Sequence, residues 1–168
     1  FRGQYAGITK QTHQYYLGGL KERYIVISSD FDSGNLGSQA GHDFSYRITS
    51  ASDCAGTPHE GNTRSWFYFS VKGFPANTRG RFLVAKVNIL WSFINNRMGQ
   101  QYYPCYNASE EHEGWRKLKS PATFTYQPVL TVGKPDGDVE LQFDYLFKQE
   151  GEEVRFAITY PYEYGRCQ

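Results

Sequence analysis

Residues 64–73 read R-S-W-F-Y-F-S-V-K-G, and this stretch decides the fold. Five of the six residues in positions 66–71 are aromatic or β-branched, and these types fall on both alternating sides of a strand. A strand that is apolar on both faces requires a sheet that is covered on both sides. The stretch therefore predicts a central strand of the core, whose four aromatic side chains are all largely buried.

An alternating pattern marks the last part of the chain. In residues 139–147 every second residue is apolar and most of the residues between are polar, a period of two that indicates a half-buried strand. Residues 148–152 are polar and contain glycine, which is typical of a turn, and residues 154–160 alternate again. Together these segments predict an antiparallel hairpin, the last one in the fold.

The remaining apolar segments are short. Residues 82–91 predict a second inner strand, reached from the first through residues 73–77, and five further segments read as strands: 24–28, 44–49, 101–106, 114–118 and 123–127. The 17 glycines and 7 prolines separate these segments, and no stretch keeps a helical period. The pattern predicts an all-β fold, a two-sheet antiparallel sandwich or barrel, of which we expect the β-sandwich with about nine short strands.

The length of 168 residues corresponds to about one domain. Residues 1–23 are predicted to be an N-terminal extension that either adds an edge strand or stays loose, and residues 24–168 are predicted to form the sandwich. The three cysteines lack Cys-x-x-Cys spacing, so we expect isolated buried or half-buried thiols in a reducing compartment.

Composition excludes several classes of function. The net charge is +1, and the lysines and arginines are scattered rather than clustered, which argues against a nucleic-acid partner. No apolar run approaches the roughly 20 residues that span a bilayer, and the first residues lack the apolar segment of a signal peptide. We therefore expect no membrane partner and a location inside the cell.

Four motifs follow one another along the chain. They are F-D-S-G-N-L at 31–36, W-F-Y-F-S-V-K-G at 66–73, G-R-F-L-V-A-K-V-N-I-L at 80–90 and F-A-I-T-Y-P-Y-E-Y at 156–164. In order and spacing they resemble the N-terminal domain of the cytosolic carboxypeptidases, the M14-type zinc peptidases that remove glutamates from tubulin tails. S-S-D before the first motif, D-C-A at 53–55 and the closing Y-P-Y-E-Y-G-R-C-Q are similar to one branch of that family.

The resemblance implies that the catalytic residues are not in this chain. In the family, zinc is held by His-x-x-Glu and a distant second His, and the zinc ligands, the substrate-binding arginines and the base all follow the Y-P-Y motif. Here the residues three positions after the four histidines are Tyr16, Ser45, Asn62 and Trp115, so the sequence has no His-x-x-Glu. We expect no cofactor and no enzyme activity in this chain, and zinc in a carboxypeptidase domain that follows it.

Candidate residues for contact with that domain come from the motifs. Residues 31–36 predict a turn with an Asx-type side-chain bond or, alternatively, a loop held in shape to face a partner domain. Tyrosines at alternate positions around Pro161 favour either edge-strand packing or an interface, and the resemblance favours the interface. The candidate set is Phe31, Asp32, Ser33, Gly34, Asn35, Leu36, Arg64, Trp66, Tyr160, Pro161, Tyr162 and Tyr164.

These observations predict a non-catalytic domain that packs on a zinc carboxypeptidase domain and helps it to fold or to orient. By resemblance, the whole protein removes glutamates from polyglutamylated tubulin, in the cytoplasm, on microtubules or in the nucleus. One alternative is a stand-alone module that recruits tubulin or another protein. The other is an enzyme that uses zinc at Glu110, Glu111, His112 and Glu113, although such a run is also typical of a solvated acidic loop.

Overall fold

The computed structural model describes residues 12–16, 24–61, 63–85, 101–109, 114–128 and 137–161. Eleven strands and no helix occur in these ranges. The strands are β1 (Thr12–Tyr16), β2 (Tyr24–Ser28), β3 (Gln39–His42), β4 (Ser45–Thr49), β5 (Tyr68–Lys72), β6 (Thr78–Ala85), β7 (Cys105–Ala108), β8 (Arg116–Lys117), β9 (Thr123–Pro128), β10 (Gly137–Phe147) and β11 (Glu153–Ala157). No helix long and apolar enough to cross a membrane is found in the described residues.

The strands form two sheets that pack face to face. A six-stranded sheet has the order β1-β2-β5-β11-β7-β8, and a five-stranded sheet has the order β3-β4-β6-β10-β9. Neighbouring strands are antiparallel except β4 and β6, which are parallel. The expectation of an all-β sandwich is confirmed.

The core between the sheets is built largely from aromatic rings. Phe82 of β6 has its ring centroid 6.0 Å from that of Phe69 and 5.2 Å from that of Phe156, which both belong to the opposite sheet. All three rings are fully buried. Each such side chain contributes about 1.5–3 kcal/mol relative to an exposed one, so the second, third and fourth motifs supply much of the fold's stability.

The apolar stretch at residues 66–71 forms a central strand, as expected. Strand β5 lies between β2 and β11, and Phe67, Phe69 and Val71 point into the core. Tyr68 is also completely buried, although it points away from the core. The strand begins two residues later than the apolar pattern does, and Trp66, which was expected to be largely buried, is only half-buried.

The expected hairpin between residues 139–147 and 154–160 is wrong. Strand β10 pairs with β6 and β9 in the five-stranded sheet, whereas β11 pairs with β5 and β7 in the other sheet. The two strands face each other across the core, where the Phe143 and Phe156 rings are 5.3 Å apart. A period of two shows which face of a strand is buried, but it does not show which strand lies beside it.

A buried carboxylate turns the chain from one sheet to the other. Glu152 is 2% exposed, and it accepts hydrogen bonds from the amides of Lys148 (2.8 Å) and Gln149 (3.4 Å) and from the Tyr145 hydroxyl (3.0 Å). These bonds fold residues 148–152 into an arch that crosses the sandwich, instead of the narrow loop of a hairpin.

The described residues contain eleven strands, two more than the nine that were expected. The additional strands are β1 and β3. Strand β1 pairs along its whole length with β2 at the edge of the six-stranded sheet, so residues 12–16 of the N-terminal segment add an edge strand. The second inner strand, expected at 82–91, begins at Thr78 and is described as far as Ala85. Residues 86–91 lie outside the described residues.

The cysteines are described at two of their three positions. Cys105 is buried and Cys54 is exposed, and both are free thiols. The expectation that all thiols are at least half-buried is therefore wrong for Cys54, which lies in the loop between β4 and β5 at φ +57°. Cys167 lies outside the described residues.

Candidate functional site

Three of the four motifs meet at one end of the six-stranded sheet. Asn35 and Tyr68 form an antiparallel bridge, with N···O distances of 2.8 and 3.2 Å, and the Asn35 side-chain amide donates to the Trp66 carbonyl at 2.8 Å. On the other side of the same strand, the Ile158 amide donates to the Phe67 carbonyl at 3.2 Å. We call these five residues, Asn35, Trp66, Phe67, Tyr68 and Ile158, the motif junction.

The first motif enters the junction through a tight turn. The Gly34 amide donates to the Phe31 carbonyl at 3.2 Å, and Ser33 has φ +61°. A Cβ on Gly34 would lie 2.2 Å from the Ser29 carbonyl oxygen, so only glycine fits there. The sequence correctly predicts the turn, but the side chain of Asn35 bonds to Trp66 across the sheet rather than to its own turn.

An aromatic cluster covers the outer face of β5. The ring of buried Tyr68 is 4.6 Å from Phe31, 5.9 Å from Trp66 and 5.4 Å from Trp115 between centroids, in edge-on arrangements. The Arg155 guanidinium lies 4.6 Å above the Phe31 ring, and its Nη1 donates to the Tyr68 hydroxyl at 3.4 Å. We call Phe31, Trp66, Trp115 and Arg155, with Tyr68 beneath them, the aromatic cap. Its four outer members are half-buried.

Further hydrogen bonds fix the cap and the exit of the chain. The Trp66 indole donates to the Ser33 carbonyl at 3.0 Å, which ties the second motif to the first. The Tyr102 hydroxyl donates to the Ile158 carbonyl, and burial raises the pKa of this phenol, so it remains a neutral donor. Burial also raises the pKa of the Cys105 thiol, although Lys117 acts in the opposite direction.

The loop that precedes β5 is ordered by two carboxylates. Asp53 accepts hydrogen bonds from the Ser65 hydroxyl (2.8 Å) and amide (3.3 Å). Hydrogen bonds from the Ser52 hydroxyl and the Gly56 amide lower the pKa of the Glu60 carboxyl. These contacts hold the D-C-A segment against the start of the second motif.

The candidate residues divide into buried and accessible groups. Gly34, Asn35, Leu36 and Pro161 are buried, so they support the fold rather than present a surface. Phe31, Ser33 and Trp66 are half-buried, Asp32 is exposed, and Tyr160 is 54% exposed. Arg64 is half-buried and its Nε donates to the Ser50 carbonyl at 3.2 Å. Tyr162 and Tyr164 lie outside the described residues.

The residues that the structure describes do not fit a zinc site. His13, His42 and His59 are exposed, and no three His, Cys, Asp or Glu side chains converge within these ranges. The candidate cluster at 110–113 lies outside them.

Comparison with known proteins finds similarity over the segments that carry the motifs. A family model described as the cytosolic carboxypeptidase N-terminal domain matches residues 27–157, which include the motif junction and the aromatic cap except for Ile158. The chain belongs to this family. The four motifs therefore identified the family of this cytosolic carboxypeptidase N-domain correctly.

Several curated relatives match over most of this N-domain. Cytosolic carboxypeptidase-like protein 5 of Mus musculus is 28% identical over 171 residues, which cover 86% of this chain and 18% of that protein. The Homo sapiens protein of the same name is 26% identical with the same coverage. Cytosolic carboxypeptidase 6 of Homo sapiens is 24% identical over 156 residues, which cover 91% of this chain and 28% of that protein. The N-domain thus spans less than a third of the length of these relatives. The branch of the family that the sequence details favoured is that of the fifth member, and the mouse and human relatives at 28% and 26% identity carry its name.

Two members of the aromatic cap, Trp115 and Arg155, were not found from the sequence. Arg155 alternates with Val154 and Phe156 in β11, so the period of two already places it on the outer face. Trp115 directly follows a glycine in a polar region, where an isolated tryptophan is a signal in itself. Neither signal shows that both residues reach Tyr68.

The motif junction makes a testable contribution to stability. Replacing Asn35 with alanine should lower the free energy of unfolding by about 1–3 kcal/mol, because the Trp66 carbonyl loses its donor in a part-buried site. Urea unfolding measures the loss. Asp32→Ala, in the exposed part of the same turn, should change stability by less than about 0.5 kcal/mol. Equal losses for the two variants would contradict the role of the Asn35 amide.

Proposed function

We propose that this chain is the non-catalytic N-terminal domain of a zinc carboxypeptidase that removes glutamates from polyglutamylated tubulin. In this role the sandwich packs on the catalytic domain and helps it to fold or to orient. The observation that carries the proposal is the family match over residues 27–157. The coverage of the relatives supports it, because the chain accounts for only 18% of the mouse protein and leaves ample length for a catalytic domain.

The geometry of the N-domain agrees with a supporting role. In their described parts, its motifs contribute structural contacts, namely the Asn35 bridge, the Ile158 hydrogen bond and the aromatic core. In the proposed protein, the downstream domain would hold the zinc, which would supply Lewis-acid chemistry at the scissile carbonyl and activation of water. No catalytic step is assigned to the residues described here. The proposed location is the cytoplasm, with microtubules and the nucleus as further sites of action.

Metal content and activity test this proposal together. This chain, prepared without chelator, should contain no stoichiometric zinc and release no glutamate from a polyglutamylated peptide. The longer protein that extends past residue 168 should hold about one zinc per chain and release glutamate, and chelation should abolish the release. Zinc bound tightly to this chain and lost in the His112→Ala variant would overturn the proposal.

A further inference from the structure

We infer that the aromatic cap is the face on which the carboxypeptidase domain of the longer protein docks. The inference rests on the proposed function, because it takes that domain as the occupant. The observation behind it is that Phe31, Trp66, Trp115 and Arg155 gather on the outer face of the sheet, beside the point where the chain leaves the sandwich.

The cap has the composition of an interface centre. Tryptophan, tyrosine and arginine dominate binding hot spots, because they combine a large contact area with a polar group. Trp66, Trp115 and Arg155 supply these types around buried Tyr68. Each outer member is half-buried, so it retains surface that a partner can cover.

The side chains of the cap are already held by contacts within this domain. The Trp66 indole is bonded to the Ser33 carbonyl, and the Arg155 guanidinium is stacked on Phe31 and bonded to Tyr68. Side chains that are already fixed lose little conformational entropy on association, which otherwise costs about 0.5–1.5 kcal/mol for each ordered side chain.

The two outer faces of the sandwich differ in character. On the five-stranded sheet, Arg47 is paired with Glu140, and Arg81 Nε lies 3.2 Å from the Asp144 carboxylate, which is typical of a solvated face. On the six-stranded sheet, the neighbouring outer-facing residues Tyr68, Ala157 and Cys105 are at most 3% exposed. Among the described residues, the aromatic cluster around Tyr68 lies on the outer face of the six-stranded sheet.

The path of the chain favours the proposed downstream domain as the occupant. Ala157 pairs with Tyr68, and Ile158 bonds to Phe67, so the chain runs past Trp66 as it leaves β11. Tyr160 follows at 54% exposure. A domain connected at this point is held beside the cap at an effective concentration on the order of millimolar, whereas a separate partner has no such advantage. The relatives have the required length, since the chain covers 18% of the mouse protein.

Side-chain labelling by hydroxyl radicals, read by mass spectrometry, tests the docking directly. In the longer protein, Trp66 and Trp115 should be labelled several-fold less than in this chain, while Tyr24, 46% exposed on the same sheet, should be labelled equally. Equal labelling of the two tryptophans would overturn the inference. If the two tryptophans of this chain, without the downstream domain, become protected as its concentration rises, the occupant is a second copy of the chain. That result would also overturn the inference.

A substitution measured in both proteins separates docking from folding. Trp115→Ala should lower the folding equilibrium constant of this domain by roughly 30-fold more in the longer protein than in this chain, the effect of a hot-spot truncation. Amide hydrogen exchange of β5 and β11 provides the measurement. Leu146→Ala, on the opposite outer face at 43% exposure, should have equal effects in the two proteins. Equal effects of Trp115→Ala would contradict the docking.

Activity distinguishes this inference from the proposed function. A longer protein that releases glutamate but leaves the cap accessible refutes the docking face and retains the proposed function. A longer protein with a protected cap but neither zinc nor glutamate release refutes the proposed function and retains the cap as an interdomain surface.

Discussion

Replacing Phe69 with alanine should lower the free energy of unfolding by about 3–5 kcal/mol, a large share of a domain's stability. Phe69 is fully buried on the central strand β5, with its ring 6.0 Å from Phe82 and 5.7 Å from Phe156. Alanine therefore leaves a cavity that both sheets line. Chemical denaturation followed by circular dichroism measures the change, and Phe67→Ala should behave similarly because Phe67 is equally buried.

Tyr24→Ala provides the matched control, since this ring is 46% exposed on the same sheet and should cost less than about 1 kcal/mol. Losses below about 1 kcal/mol at both Phe67 and Phe69 would mean that the inner face of β5 is accessible to water, and the packing of the two sheets would then be wrong.

Replacing Glu152 with alanine should also destabilise the domain by about 3–5 kcal/mol. The substitution leaves the amides of Lys148 and Gln149 and the hydroxyl of Tyr145 without their shared acceptor inside the arch. Glutamine at this position keeps one acceptor oxygen and should recover part of the loss. Thermal unfolding of the parent chain, Glu152→Ala and Glu152→Gln measures these differences in stability.

The control for the arch is Glu150→Ala, because Glu150 is an exposed carboxylate two residues away. It should leave stability within about 0.5 kcal/mol of the parent chain. If Glu150→Ala and Glu152→Ala have the same effect, the buried carboxylate does not stabilise the crossing between the sheets.

Patterns within single strands were readable from the sequence. Period two identifies β10 and β11, and the doubly apolar stretch identifies β5 as central, because each pattern reports the burial of that strand's own faces. The same patterns do not show which strands lie side by side in a sheet. The hairpin expected for β10 and β11 is wrong because an arch and a hairpin leave the same alternation in the sequence, whereas the two strands here pair in different sheets.

The candidate site was predictable in part for a similar reason. The motifs pointed to Phe31, Asn35 and Trp66, and the structure brings these residues together around Tyr68. Trp115 and Arg155 complete the aromatic cap from distant parts of the chain. Their joint position depends on the strand order β5-β11-β7-β8, which local periodicity does not contain.

The place of β11 has a consequence for synthesis of the protein. This strand, the last one in the part of the chain that the structure describes, inserts between β5 and β7, so the six-stranded sheet consists of two separate pieces until residues 153–157 arrive. A nascent chain on the ribosome therefore cannot complete this sandwich while β11 is still inside the exit tunnel. In the longer protein proposed above, the residues that follow this strand would already have been translated when it emerges, so the sandwich should close only when the next part of the polypeptide is present beside it.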